Sequence, residues 1–297
     1  MKEIKRSYRE AQARARLEAL FDKATFQEWV SPLERLTSPH LASLGAPVSF
    51  DDGVVVGEGL VATKQVVAIA QEGLFNGGAV GEVHGAKIRG ALLKAIEMKA
   101  QYVIFLVDSG GVRLHEANAG LIAISEIMRA LFLVQEAGIP VIALVGGSCG
   151  AFGGMGIVTR LCDVVIMSEE GRMGLSGPEV IETVKGVDEF DAKDRALVWR
   201  VTGGKIRRTL NEAQILAEDS LTAFRSALVE LLDQGVIGKS LSLAELQQEH
   251  AKLVQRAELD PAIRDGAQVW HAMGIEEDVP LLSVNAFNQR LEEVHHE

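Results

Sequence analysis

"VIALVGGSCGAFGGMGIVTRLCDVVIMS" spans Val141 to Ser168 and carries the densest run of small residues in the chain. An apolar run, Val141 to Val145, reads as a strand buried on both faces. The loop GGSCGAFGG follows, then the helical turn MGIVTRL, then a further strand, CDVVIMS. The loop contains a literal Gly-x-Ser-x-Gly at Gly146–Gly150, which raises two chemistries. One makes Ser148 a nucleophile at an elbow; the other has the glycines offer bare backbone N–H groups to a substrate oxygen. An elbow needs one tight turn leading straight into a helix, whereas this loop continues through Cys149 to Gly154. The later His250 and His271 lie in charged helical sequence. No base is placed near Cys149, which reads as a small residue in a crowded turn. The glycine reading is the stronger one.

The same grammar extends outward. Tyr102 to Asp108 (YVIFLVD) is a second apolar run and ends in Ser109-Gly110-Gly111. The helix LIAISEIMRALFLVQEAG then stops at Gly138, with Pro140 just beyond. Upstream, Asp51-Asp52-Gly53 opens VVVGEGLVATKQVVAIAQEG, which alternates as a hairpin does. HGAKIRGALLKAIEMKA follows at helical spacing. Repetition of strand, loop and helix predicts parallel strands joined by right-handed crossovers, with ligands at the strands' C-terminal ends. Both glycine loops should therefore lie on one side. Residues 8–29 read as a helix with a turn. From about residue 190 the chain is helical and charged, with an amphipathic helix from Leu241.

Bulk properties narrow the function. The 297 residues carry 47% hydrophobic and 24% charged side chains and a formal net charge of -11. That balance disfavours nucleic acid, whose binding rests on Lys and Arg. Two cysteines, Cys149 and Cys162, make no disulfide framework. The basic start lacks an apolar core and a cleavage site, so it is no secretory signal, and Glu3, Glu10 and Glu18 argue against a presequence. Gly138 to Thr159 carries no charge, but the six glycines between Gly146 and Gly156, at roughly 1 kcal/mol each in a helix, argue against a membrane span. A cytoplasmic protein is expected. Gly238-Lys239-Ser240 has Asp233 where a phosphate loop needs glycine, His115-Glu116 has Ala119 where a zinc motif needs histidine, and Gly154-Met155-Gly156 meets Thr159 instead of a third glycine. No metal is expected.

Several stretches together resemble the acyl-CoA carboxyltransferase family. Phe50 to Ile88 is similar to the family's opening segment. FLVDSGGVRLHE, Phe105 to Glu116, resembles its Asp-Ser-Gly-Gly-Ala-Arg signature, with Val112 in place of the usual Ala. Arg16 to Trp29, GIPVIALVGGSCGAFGGMG and GLSGPEVIE are similar to its amino-terminal element, second glycine loop and Gly-Pro element. The resemblance implies an α/β fold of the ClpP/crotonase type: a superhelix of repeated ββα units with helical N- and C-terminal elements. The expected boundaries are 1–30 for the N-terminal element, 31–235 for the carboxyltransferase domain and 236–297 for the C-terminal extension. VDEFDAKDRALVWRVTGGKIRRTL and the one-domain length point to members that decarboxylate a malonyl thioester on an acyl-carrier protein, giving acetyl thioester and carbon dioxide. The alternatives are carboxyl transfer to biotin on a separate carrier, a Ser148 hydrolase, and a subunit that only shapes its partner's site. The resemblance further implies a partner gamma subunit of related carboxyltransferase fold and an acyl-carrier subunit. No cofactor is held permanently; the substrate arrives on the carrier's phosphopantetheine or CoA-like prosthetic group.

Loss of carbon dioxide from such a thioester leaves an enolate, which fixed N–H donors stabilise. Gly110 and Gly111 of the first loop and Gly153 and Gly154 of the second are the expected donors, with Met155 one residue away. Ser109 and Ser148 are assigned to geometry or substrate hydrogen bonding. Arg113 either binds a carboxylate or pairs locally with Glu116, and the local pair is favoured; His115 stays undecided. Lys205 and Arg207, with Arg208, form a basic cluster that either meets the carrier or is simply solvated. Ser148→Ala is expected to retain most activity and Gly110→Val to lose it.

Overall fold

The computed structural model describes residues 6–238, 242–258 and 263–296. Seven strands form one sheet: β1 (Gln27–Glu28), β2 (Val54–Val61), β3 (Lys64–Gln71), β4 (Tyr102–Val107), β5 (Val141–Val145), β6 (Val164–Ser168) and β7 (Ile215–Ala217). Their order across the sheet follows the chain order. The β1–β2 and β2–β3 pairs are antiparallel, and from β3 to β7 every neighbour is parallel. The anticipated hairpin and parallel strands are therefore present. β1 and β7 were not anticipated: both are very short, and β1 falls inside a segment that reads as helix and turn.

Sequential order has a geometric consequence. When each crossover steps to the next strand in the same direction and with the same hand, all crossover helices must lie on one face. The helices α1 (Ala13–Leu20), α2 (Glu82–Met98), α3 (Ala119–Glu136) and α4 (Gly153–Leu161) divide accordingly. α2, α3 and α4 pack on the face formed by Val67, Ile69, Val103, Phe105, Val141, Ala143 and Val165. The opposite face, with Val66, Ala68, Ile104, Leu106, Ile142, Leu144 and Ile166, is covered by α1. Strict alternation between the two lists is the period of two that a strand imposes, so both faces had to be apolar.

The remaining helices are α5 (Pro178–Lys185), α6 (Arg195–Thr202), α7 (Gly204–Thr209), α8 (Leu221–Gln234), α9 (Leu243–Ala257), α10 (Gly266–Ala272) and α11 (Val284–His296). α8 joins α1 on its face through Phe224, Leu228 and Leu232. α10 and α11 close a third cluster around Trp270 and Phe287. Lys239 and Ser240 lie outside the described residues, as does Leu241. Beyond the ends of the parallel strands the chain makes single-residue bridges: Val80 to Val112, Ser109 to Ala151, and Ala151 to Met173, all parallel. In these units the second β of each ββα repeat has shrunk to one bridged residue.

Candidate active site

The first loop leaves β4 through Asp108-Ser109-Gly110-Gly111, and the second leaves β5 through Gly146 to Phe152 and enters α4. They are bonded to each other. The Ser109 amide donates to Gly150 O (2.6 Å), the Phe152 amide to Ser109 O (3.0 Å) and the Cys149 amide to the Asp108 carboxylate (2.7 Å). Gly111 (φ +133°) and Gly153 (φ +56°) face one another; a β-carbon on Gly153 would sit 3.1 Å from Gly111 Cα. Both positions favour glycine for their backbone conformation, and Gly153 for space as well.

The glycines of the Gly-x-Ser-x-Gly stretch serve a different purpose. A β-carbon on Gly146 would strike the stacked rings of Tyr8 and Phe224, at 2.8 and 2.7 Å, and one on Gly147 would overlap the Asp108 carboxylate. Close packing selects glycine there. Ser148 is exposed. Among the described residues no imidazole is hydrogen-bonded to it: His40 pairs with Glu82, and His84 is buried between Gln71 and Arg113.

The amides sort unexpectedly. Gly110 donates to Gly77 O (2.9 Å), Gly111 to Ser109 Oγ (3.2 Å) and Gly153 to Leu175 O (2.9 Å). Three of the four expected donors are thus engaged inside the chain, and among the described residues Gly154 alone of the four has no acceptor for its N–H. Among the described residues the amides of Val112 and Met155 also have no acceptor. Val80 bonds to Gly111 O and to the Arg113 amide, so the N–H of Val112 points away from Val80. Val112 was missed because a side chain gives no hint of a free amide. Gly154 and Met155 stand in the first turn of α4, where helical N–H groups lack partners and the helix dipole is positive. The sequence reads Gly153 and Gly154 as loop, but the helix starts at Gly153, and glycine is needed at 154 because a β-carbon there would collide with Ile124 at 2.5 Å.

Other expected site residues move into the framework. Ser109 is fully buried, and its hydroxyl is used within its own turn. Arg113 is buried and holds Asp51 (2.5 Å), Glu116 (3.0 Å) and Ala79 O (2.9 Å). The local pair with Glu116 therefore exists, within a larger network that leaves no guanidinium edge for substrate. Burial pushes the Asp51 carboxyl up, but the Arg113 hydrogen bond and charge outweigh it and hold it below its ordinary value. Burial, then the Arg113 charge, pull His84 down to about 3, so it is neutral. His115 is half exposed, 3.8 Å from Glu116.

Lys205 is buried, not presented to a carrier: its ammonium donates to Glu169 (2.7 Å) and to the carbonyls of Val279, Pro280 and Leu282. Arg207 pairs with Glu212 (2.6 Å). Sequence reading overlooked Arg172, which lies over the Phe152 ring and donates to Ser148 O (2.5 Å), with no carboxylate in ion-pair reach among the described residues. Nothing but its place just after β6 marks it. Among the described residues no three His, Cys, Asp or Glu side chains group as a metal site, and no helix is long and apolar enough to cross a membrane.

The sequence pattern of the carboxyl transferase domain matches residues 7–198. The chain is 38% identical to the malonyl-S-ACP:biotin-protein carboxyltransferase of Malonomonas rubra, over 94% of this chain and 93% of that protein. Among solved structures it is similar to a chain of a Pseudomonas malonate decarboxylase hetero-tetramer in complex with malonate, at 38% identity and a TM-score of 0.81, covering 90% of this chain and 97% of that one. It also matches a transcarboxylase 12S structure with hydrolyzed methylmalonyl-coenzyme A bound, at 28% identity and a TM-score of 0.62, covering 74% of this chain but 40% of that one.

Proposed function

The chain belongs to the carboxyl transferase family, and on that premise we propose that it is the beta subunit of a cytoplasmic malonate decarboxylase. It acts on malonyl-S-acyl-carrier protein and yields the acetyl thioester and carbon dioxide. Near-complete mutual coverage with a malonate decarboxylase chain carries this reading. The bond between the α-carbon and the carboxyl carbon breaks and carbon dioxide leaves. The electron pair passes into the thioester carbonyl, and the enolate then takes a proton at the α-carbon. Negative charge peaks on the thioester oxygen, where a preorganised donor is worth about 2.7–4 kcal/mol. The N–H groups of Val112 and of Gly154 or Met155, on either side of the Gly111–Gly153 contact, are assigned to that oxygen. Gly111 and Gly153 supply the close approach, and Gly110 shapes the first loop through Gly77.

The partners follow from the same premise. The solved relatives are a hetero-tetramer and a hetero-dimer, and the rim of the two loops carries exposed apolar side chains: Leu114 is 84% exposed and Leu175 69%. A gamma subunit of related fold covers that rim, and the carrier subunit delivers the thioester on its prosthetic group. This chain then needs no cofactor of its own.

A second reading is favoured by the Malonomonas relative, a carboxyltransferase that passes the carboxyl group to a biotin protein. Reconstitution with the gamma and carrier subunits and carboxyl-labelled malonyl thioester separates the two. Label released as carbon dioxide without a biotin protein supports decarboxylation. Label retained only on an added biotin protein establishes transfer instead.

A further inference from the structure

We propose that Asp108 and Arg16 are positioning residues that set the second glycine loop against the first, which makes the N-terminal helix part of the active-site apparatus. The inference rests on the decarboxylation reading of the two loops. Asp108 ends β4, immediately before the first loop, yet its side chain serves the second. One carboxylate oxygen accepts the Cys149 amide at 2.7 Å; the other accepts Arg16 at 2.9 Å. Both side chains are almost wholly buried, at 2% and 3% exposure. The carboxylate fills the space where a side chain at Gly147 would lie, and Gly73 packs on its other side.

Arg16 reaches this point from α1, 92 residues earlier in sequence. Its remaining donors hold Tyr8 O (2.9 Å) and Arg9 O (3.2 Å), and its guanidinium lies 4.7 Å from the Tyr8 ring centre. Tyr8 in turn stacks on Phe224 beneath Gly146. The second loop is therefore clamped at three of four successive residues: Gly146 by Tyr8 and Phe224, Gly147 and Cys149 by Asp108. From Cys149 the chain runs directly through Gly150 and Phe152 to the free amides of α4. A shift of Cys149 is transmitted to those amides because Ser109 bonds the intervening segment on both sides. A carboxylate in this place accepts two strong donors at once, which neither an amide nor a hydroxyl does as well.

The test uses the reconstituted complex for kinetics and the isolated chain for loop position. Cys149 is half-buried and Cys162 fully buried, and burial and the Asp108 charge push the Cys149 thiol up, so the limiting alkylation rate of its thiolate, reached at high pH and followed by mass, reports the second loop without reference to activity. Asp108→Ala is expected to lower kcat about 10²-fold, to change KM for the carrier thioester less than threefold, and to speed Cys149 alkylation. Arg16→Met leaves Asp108 buried and unpaired and is expected to behave likewise. The double variant Arg16→Met/Asp108→Asn keeps an acceptor for Cys149 with no stranded charge, and is expected to recover at least tenfold in kcat over Arg16→Met. Arg14→Ala, on the same helix as Arg16, removes surface pairs with Glu28 and Asp52 and should leave kcat unchanged. Wild-type kcat in Asp108→Ala, a rise in KM alone, or unaltered Cys149 alkylation overturns the proposal. If Asp108→Ala does not fold, the double variant decides: no recovery over Arg16→Met refutes it. A wild-type complex that releases no carbon dioxide refutes the functional reading instead, and the alkylation result still judges the clamp.

Discussion

Gly153 and Gly110 look alike in the sequence but carry different demands. A β-carbon on Gly110 would rest 3.5 Å from Gly77 O, an ordinary contact, whereas Gly153 combines φ +56° with a 3.1 Å approach to Gly111. Gly153→Ala therefore strains the backbone and pushes the loops apart. Its kcat should fall roughly tenfold or more, the effect of misplacing one donor, while Ser148→Ala stays near wild type. Steady-state decarboxylation of the two variants checks this; equal loss in both would return Ser148 to contention. His84 offers a pH test. Its folded pKa of about 3 lies below the unfolded value of roughly 6.5. The unfolded chain therefore takes up a proton that the folded chain refuses, and stability is lost as pH falls from about 6.5 towards 3. His84→Gln should flatten the acid limb by about 1.4 kcal/mol per pH unit, read from urea unfolding at several pH values.

Among the elements, β4, β5 and β6 and the crossover helices between them were legible because burial on both faces leaves continuous apolar runs, and because Gly138 and Pro140 end α3. β1 is only Gln27–Glu28, too short to show a period, and pairs with β2 by tertiary proximity alone. The basic cluster near Gly204 also reads differently once folded. Lys205 lies in α7 and pins the chain just before α11 through three carbonyls. Lys205→Met leaves those carbonyls without their donor, while Glu169, a third exposed, turns to water, and should cost about 1–3 kcal/mol. Thermal melts should show that loss while KM for the carrier thioester stays unchanged; a raised KM would restore the carrier role.

At the scale of the molecule, the sheet gathers both glycine loops at one end and leaves an apolar rim around them. Large exposed apolar patches mark partner surfaces. Leu114→Asp and Leu175→Asp together should abolish co-elution with the gamma subunit on size exclusion, because a charge would have to be buried unpaired. The isolated chain should melt at the wild-type temperature, since both side chains are solvent-exposed. Retained complex formation would place the interface elsewhere.

The sequence by itself determined the strand–loop–helix rhythm, the two glycine loops and the family, because apolar periodicity and local turn chemistry are written in neighbouring residues. Only the tertiary structure decided which amides stay free, that Arg113 and Lys205 are framework, and that Arg16 meets Asp108. An N–H is free or spent according to what lies across from it. A buried charge finds its partner in space, and neither fact leaves a mark on residues adjacent in the chain.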